Sequence, residues 1–151
     1  MNPVAFSLAS TAFGEGASIP TRFTCDGEDL SPDLSWTGAP DGTSSLALIV
    51  TDPDARGFVH WLVYDVADTP SGELPAGVSA SPAAPAQGTN SFGKPGYGGP
   101  CPPSGTHRYV FTLYALDRSL ELSGAPRIDE LRTAMEGHVL AETALTGTYQ
   151  R

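Results

Sequence analysis

Three stretches of the chain alternate or run apolar in the manner of β-strands. Ser45-Leu-Ala-Leu-Ile-Val-Thr-Asp52 is a nearly continuous apolar run stopped by Pro53, as expected of a strand buried on both faces. Phe58-Val-His-Trp-Leu-Val-Tyr-Asp-Val66 and His107-Arg-Tyr-Val-Phe-Thr-Leu-Tyr-Ala-Leu116 are rich in β-branched and aromatic residues. Weaker alternation over 4–13 and 18–25 predicts two edge strands. Ile128, Leu131, Met135 and Val139 recur at helical spacing, with Asp129 and Glu130 in the first turn where the helix dipole favours acids. One C-terminal helix packed on sheet is the expectation, with Gly137 weakening it and His138 on or near its apolar stripe as a packing residue. Between the strong strands, Ala67 to Pro103 is rich in Pro, Gly, Ala and Ser and too long for an ordinary connection. Such a stretch reads as an ordered functional loop, at least from Gly88 onward.

Composition sharpens this into a β-rich domain. The 151 residues include 17 Gly and 14 Pro, which suits turns and short strands better than long helices. A chain of this length buries roughly 70% of its unfolded surface, so neither disulfide nor metal is required for stability. No repeat or composition break divides it, and a single domain over 1–151 is expected. Net charge is −9 with eight scattered basic residues, so neither nucleic acid nor an anionic membrane surface is an expected partner. A pocket can still present local donors to one anionic group. The N-terminus, Met1-Asn-Pro-Val-Ala-Phe, shows no secretory signal, and no apolar run is long enough to span a membrane. A cytoplasmic location is the expectation, with Cys25 and Cys101 as free thiols and a single bridge left open.

Residues two apart on a strand share a face. His107 and Tyr109 therefore lead the face carrying Phe111, Leu113 and Ala115. Asp52 ends the face of Leu46, Leu48 and Val50, and His60 shares one with Phe58, Leu62 and Tyr64. If the strands are antiparallel neighbours, Asp52, His60, His107 and Tyr109 gather at one sheet margin over an apolar floor, the form of a small-molecule site. Other chemistries fit less well. Two His and an Asp could hold a metal, but His60 and His107 are 47 residues apart. The Gly-x-Ser-x-Gly elbow and phosphate-loop signatures are absent. Cys101 with His107 as base lacks a visible activating element, so a plain thiol is the better reading.

Asp52-Pro-Asp-Ala55, His60-Trp61, Gly96-Tyr-Gly-Gly-Pro-Cys-Pro-Pro103 and His107-Arg-Tyr-Val-Phe111 resemble motifs of the phosphatidylethanolamine-binding protein family. The likeness is greatest to its bacterial branch, the Raf kinase inhibitor-like proteins. Phe23-Thr-Cys-Asp-Gly27, Ser31-Pro32, Leu34-Ser-Trp36, Gly137-His-Val-Leu140 and Gly147-Thr-Tyr149 extend the likeness over nearly the whole chain. The resemblance implies two antiparallel sheets in a sandwich-like arrangement with short helices, one near the C-terminus. It implies an anion pocket of Asp52, His60, His107 and Tyr109, walled by Pro102 and Pro103 with Cys101 beside it, and structural roles for Asp54 and Arg108. Arg56 departs from the family's Asp-Pro-Asp-Ala-Pro and either adds a donor at the mouth or changes the turn. The function implied is binding of a small anionic or phosphorylated ligand, with regulation or inhibition of a kinase or protease, no cofactor, and pairing into homodimers as in bacterial relatives. A small hydrolase using the His/Asp/Tyr cluster and a metal-binding protein are the alternatives. Histidines near neutral pH would make anion binding tighter as the imidazoles protonate.

Overall fold

The computed structural model describes residues 5–68 and 72–151. Among these, the strands are β1 (Ser7–Ala9), β2 (Leu34–Thr37), β3 (Ser45–Asp52), β4 (Phe58–Val66), β5 (Gly72–Leu74), β6 (Ala86–Gln87), β7 (Thr106–Leu116) and β8 (Val139–Gln150), and the helix α1 covers Ile128–Met135. Two antiparallel sheets result, a small one ordered β1-β2-β5 and a larger one ordered β6-β4-β3-β7-β8.

The larger sheet has a core on each face, and the pleat of β3 decides which residue serves which. Leu46, Leu48 and Val50 join Phe111, Leu113 and Ala115 of β7 against Leu8, Leu34, Trp36 and Leu74 from the small sheet. Ala47 and Ile49 point the other way and pack with Leu62, Tyr64, Leu131 and Met135, which seats α1 on the opposite face. Every residue of β3 from Ser45 to Val50 is buried, which is why this strand reads as a continuous apolar run.

The helix is shorter than its periodicity predicts. It stops at Met135 because Gly137 adopts φ +81°, a left-handed conformation that ends the helical hydrogen-bond series at little cost for glycine. Val139, expected on the helical stripe, instead opens β8, and His138 lies between the two elements with Nδ1 2.9 Å from Asp117 Oδ1 rather than packed on an apolar face. Of the two predicted edge strands, the first contains β1, and residue 4 lies outside the described residues. The second, 18–25, does not form a strand. Pro20 cannot donate to a ladder, the chain turns through a 3-10 segment at Thr21–Phe23, and Ser18 alone makes a bridge, to Thr148.

The long 67–103 connection is punctuated by β5, β6 and a 3-10 turn at Val78–Ala80, and residues 69–71 lie outside the described residues. From Gly88 it follows the margin of β4. Gly88 N–H donates to Leu62 C=O (2.9 Å), Ser91 N–H to Val59 C=O (2.8 Å) and Gly98 N–H to His60 C=O (2.9 Å). Asn90, buried, shapes the tip between them. Its Nδ2 donates to Gly96 C=O, and its Oδ1 accepts from the N–H groups of Phe92 and Lys94.

Candidate functional site

The antiparallel order of β4, β3 and β7 brings the end of β3, the start of β4 and the start of β7 to one margin of the sheet. Asp52, His60, His107 and Tyr109 meet there around a cavity of about 170 Å³. Its remaining walls are Ala55, Phe58, Phe92, Cys101, Pro102 and Pro103.

His60 reaches the cavity through an irregularity. Val50 pairs with Trp61 while the next residue, Thr51, pairs with Val59, so His60 is the extra residue of a β-bulge. The alternation expected along β4 breaks at this point. His60 stands edge-on to Tyr109 with ring centroids 5.1 Å apart, whereas Leu62 and Tyr64 turn to the helix side. The bulged backbone is tied twice to one residue of the long loop. Gly98 N–H donates to His60 C=O, and His60 Nδ1 lies 2.6 Å from Gly98 C=O. Burial depresses the basicity of His60, and the bond to Gly98 and the Asp52 carboxylate only partly offset it.

Asp52 is 2% exposed and both its oxygens are engaged. Oδ1 accepts from Asp54 N–H (2.8 Å) as the cap of a 3-10 turn at Pro53–Ala55, and Oδ2 lies 2.5 Å from His107 Nδ1. The same turn is bolted to β7 by an ion pair between Asp54 and Arg108, the two residues expected to be structural. Arg108 donates from Nε (3.1 Å), Nη2 (2.9 Å) and its backbone N–H (2.9 Å), and holds the Asp54 carboxyl down at about 2. Arg56 follows at φ +56°, a conformation proline cannot adopt, and it does not line the cavity. Its departure from the family motif therefore changes the turn and supplies no donor.

Tyr109 is 1% exposed, and its hydroxyl is shielded from solvent with no hydrogen-bond partner among the described residues. Burial, and after it the Asp52 charge, pushes the phenol far up, so the group stays a neutral donor.

The outer wall contradicts one expectation directly. Cys25 and Cys101, expected as free thiols, form a disulfide with Cα atoms 5.4 Å apart. Spacing could not reveal this, because the two lie 76 residues apart in separate loops. Around the bridge Cys25 N–H donates to Pro100 C=O (3.1 Å), Gly99 N–H to Asp29 Oδ1 (2.9 Å), and Tyr97 hydroxyl to Phe23 C=O (2.6 Å). These contacts fasten the Pro102–Pro103 wall to the 23–29 loop.

All six residues expected at the site thus border one cavity: Asp52, His60, Cys101, Pro103, His107 and Tyr109. Two aromatic rings outside that set join them. Phe58 and Phe92 meet edge-to-face at 4.8 Å, and Phe92 also stands over His60 at 5.7 Å. Phe58 could have been found from its place two residues before His60. Phe92 carries no periodic signal in its Gly- and Pro-rich loop, although a large aromatic 47% exposed is itself a pointer to contact with a ligand. Among the described residues no three His, Cys, Asp or Glu side chains are grouped to share a metal ion. Both imidazole Nδ1 atoms are already engaged.

Comparison with known proteins agrees with the fold. The chain is 46% identical over 149 residues to the UPF0098 protein of Methanothermobacter thermautotrophicus, covering 96% of this chain and 99% of that one. It is 40% identical over 152 residues to a Mycobacterium tuberculosis protein named as a lipoprotein, LppC, covering 95% and 72% respectively. The crystal structure of a phosphatidylethanolamine-binding protein homologue from Chlamydia trachomatis superposes with a TM-score of 0.90 at 39% identity, covering 97% of this chain and 98% of that one. The sequence profile described as Phosphatidylethanolamine-binding protein matches residues 9–150, and the chain belongs to that family.

Proposed function

We propose that this protein binds a small oxyanion, such as a phosphate group, in the cavity bounded by Asp52, His60, His107 and Tyr109. The observation that carries the reading is the buried Tyr109 hydroxyl without a protein partner among the described residues, next to two imidazoles, Asp52 and a wall of apolar side chains. A buried donor left unpaired is unfavourable by about 1–3 kcal/mol, and an anion oxygen would relieve it. Phe58, Phe92, Pro102 and Pro103 exclude water and strengthen each polar contact made inside. Asp52 acts through His107, fixing the orientation of the ring through its Nδ1. In the family's bacterial branch such a pocket would serve a phospholigand-responsive regulator or inhibitor of a kinase or protease, and Phe92 at the exposed rim is the natural first contact for a protein partner.

The Cys25–Cys101 bridge favours an oxidising compartment over the cytoplasm expected from the N-terminal sequence. The relative named as a lipoprotein points the same way. No helix among the described residues is long and apolar enough to cross a membrane.

Replacing His107, whose side chain is 15% exposed, by Ala tests the site without emptying the core. Titration calorimetry with inorganic phosphate should show at least about a tenfold loss of affinity. Unchanged affinity in a folded variant would place anion binding elsewhere.

A further inference from the structure

The tautomers of the two site histidines are fixed by what their Nδ1 atoms touch. His60 Nδ1 faces the Gly98 carbonyl at 2.6 Å, and His107 Nδ1 faces Asp52 Oδ2 at 2.5 Å. A carbonyl cannot donate. Nor can a carboxylate, and the other oxygen of Asp52 is taken up in accepting the Asp54 N–H. In each ring the hydrogen therefore sits on Nδ1, and the neutral ring presents a bare lone pair at Nε2.

The neutral site is thus poorly matched to an anion. It holds one free donor, the Tyr109 hydroxyl, against two imidazole lone pairs and the Asp52 carboxylate. Among the described residues no Lys or Arg borders the cavity. Arg108 is committed to Asp54, and Arg151 to Asp26. The charged and titratable groups around His60 are Asp52 on β3, Tyr109 on β7 and Asp29 in the 23–29 loop. Around His107 they are Asp52, Asp54, Arg108 and, across the ladder in β8, Tyr149. Each acid in that set is acceptor-only when ionised. Any hydrogen bond from an imidazole to the ligand must use an added proton.

We infer, resting on the anion-site reading above, that the protein captures an oxyanion together with a proton and selects oxyanions bearing their own ionisable hydroxyl, inorganic phosphate and phosphate monoesters, over phosphodiesters. The proton balance is simple. A monoester monoanion points its P–OH at His60 Nε2, either as a hydrogen bond or with the proton transferred, which leaves imidazolium beside the dianion at the same total charge. His107 takes its second proton from solvent and donates from Nε2, with Asp52 balancing the charge. A diester brings no hydrogen, so one of its oxygens must face the His60 lone pair unless solvent supplies that proton as well. Burial, which disfavours charging His60, makes this the harder route.

The experiment is titration calorimetry of the full chain near neutral pH with inorganic phosphate, methyl phosphate and dimethyl phosphate, repeated in buffers of different ionisation enthalpy. The buffer dependence of the heat counts protons. Methyl phosphate should bind about tenfold or more tighter than dimethyl phosphate, with an uptake of about one to two protons. The imidazole 15N signals report the same event without mutation. Nε2 of His60 should move from the bare to the protonated or hydrogen-bonded range on phosphate addition, while His138 stays put. In His60→Gln, whose amide can donate without titrating, proton uptake should drop by about one and the preference for the monoester should vanish. Equal affinity for the two esters, or tight binding with no proton uptake, overturns the inference while leaving the anion site standing. Failure of all three probes to bind even at mildly acidic pH overturns both.

Discussion

Replacing Tyr109 by Phe should push stability and binding in opposite directions. The substitution removes one oxygen from a ring that is 1% exposed, in a packed position beside His60 and Phe111, and leaves the rest of the shape intact. In the free protein that oxygen has been taken out of water without gaining a protein partner. Desolvation of this kind is unfavourable by about 1–3 kcal/mol, so the phenylalanine variant should be about 1 kcal/mol more stable in phosphate-free buffer. For a domain of this size that raises the melting temperature by about 2–4 °C. Binding should fall, because a hydrogen bond to a charged oxygen contributes about 1.5–3 kcal/mol, or about ten- to a hundredfold in affinity. Thermal melts with and without phosphate read both effects at once, since a ligand stabilises the folded chain in proportion to the logarithm of its saturation. The wild type should gain from phosphate, and the variant should start higher and gain less. A variant that melts lower without phosphate, or gains as much from it, would refute the argument that this hydroxyl awaits a ligand.

Two further outcomes follow from the elements that hold the site in place. Reducing the disulfide, or replacing both Cys25 and Cys101 by Ser, opens a loop spanning 76 positions, and the urea midpoint should fall by the equivalent of about 2–4 kcal/mol. A midpoint indifferent to reductant would mean the thiols are not bridged in solution. The Asp54 carboxyl sits at about 2 because Arg108 grips it, below the ordinary 3.8, so its folded-state pKa is depressed. Its contribution is present above the ordinary value and is lost as pH falls from there toward 2. Urea midpoints measured down through that window should flatten in Asp54→Asn, and an unaltered slope would contradict the pairing.

What the sequence discloses, and what it withholds, has physical causes. β3, β4 and β7 are legible because they are central and buried, as nearly continuous apolar runs in β3 and β4 and as large apolar residues on a two-residue period in β7. β8 is not. It lies at the sheet margin and alternates small and polar side chains, Ala141, Thr143 and Ala144 among them, and its first residue continues the helical spacing of Ile128, Leu131 and Met135. Only three residues, Glu136, the left-handed Gly137 and His138, separate the two elements. Asp52, His107 and Tyr109 were readable as a group because polar residues at the ends of apolar faces have few places to go. His60 reached the expected place by an unexpected route. A bulge is a mismatch between two strands, and no single strand's pattern contains it. The disulfide and Phe92 belong to loops without period, shaped by local hydrogen bonds of Asn90 and by the long-range contacts of Asp29 and the Cys25–Cys101 bridge.

The most direct measurement is a crystal structure of the protein grown with phosphate. A tetrahedral density peak within hydrogen-bond reach of the Tyr109 hydroxyl and of Nε2 in both His60 and His107, walled by Phe92 and Pro103, is the result predicted here. A cavity closed by side chains, or phosphate bound at another surface while this one holds only solvent, would contradict it.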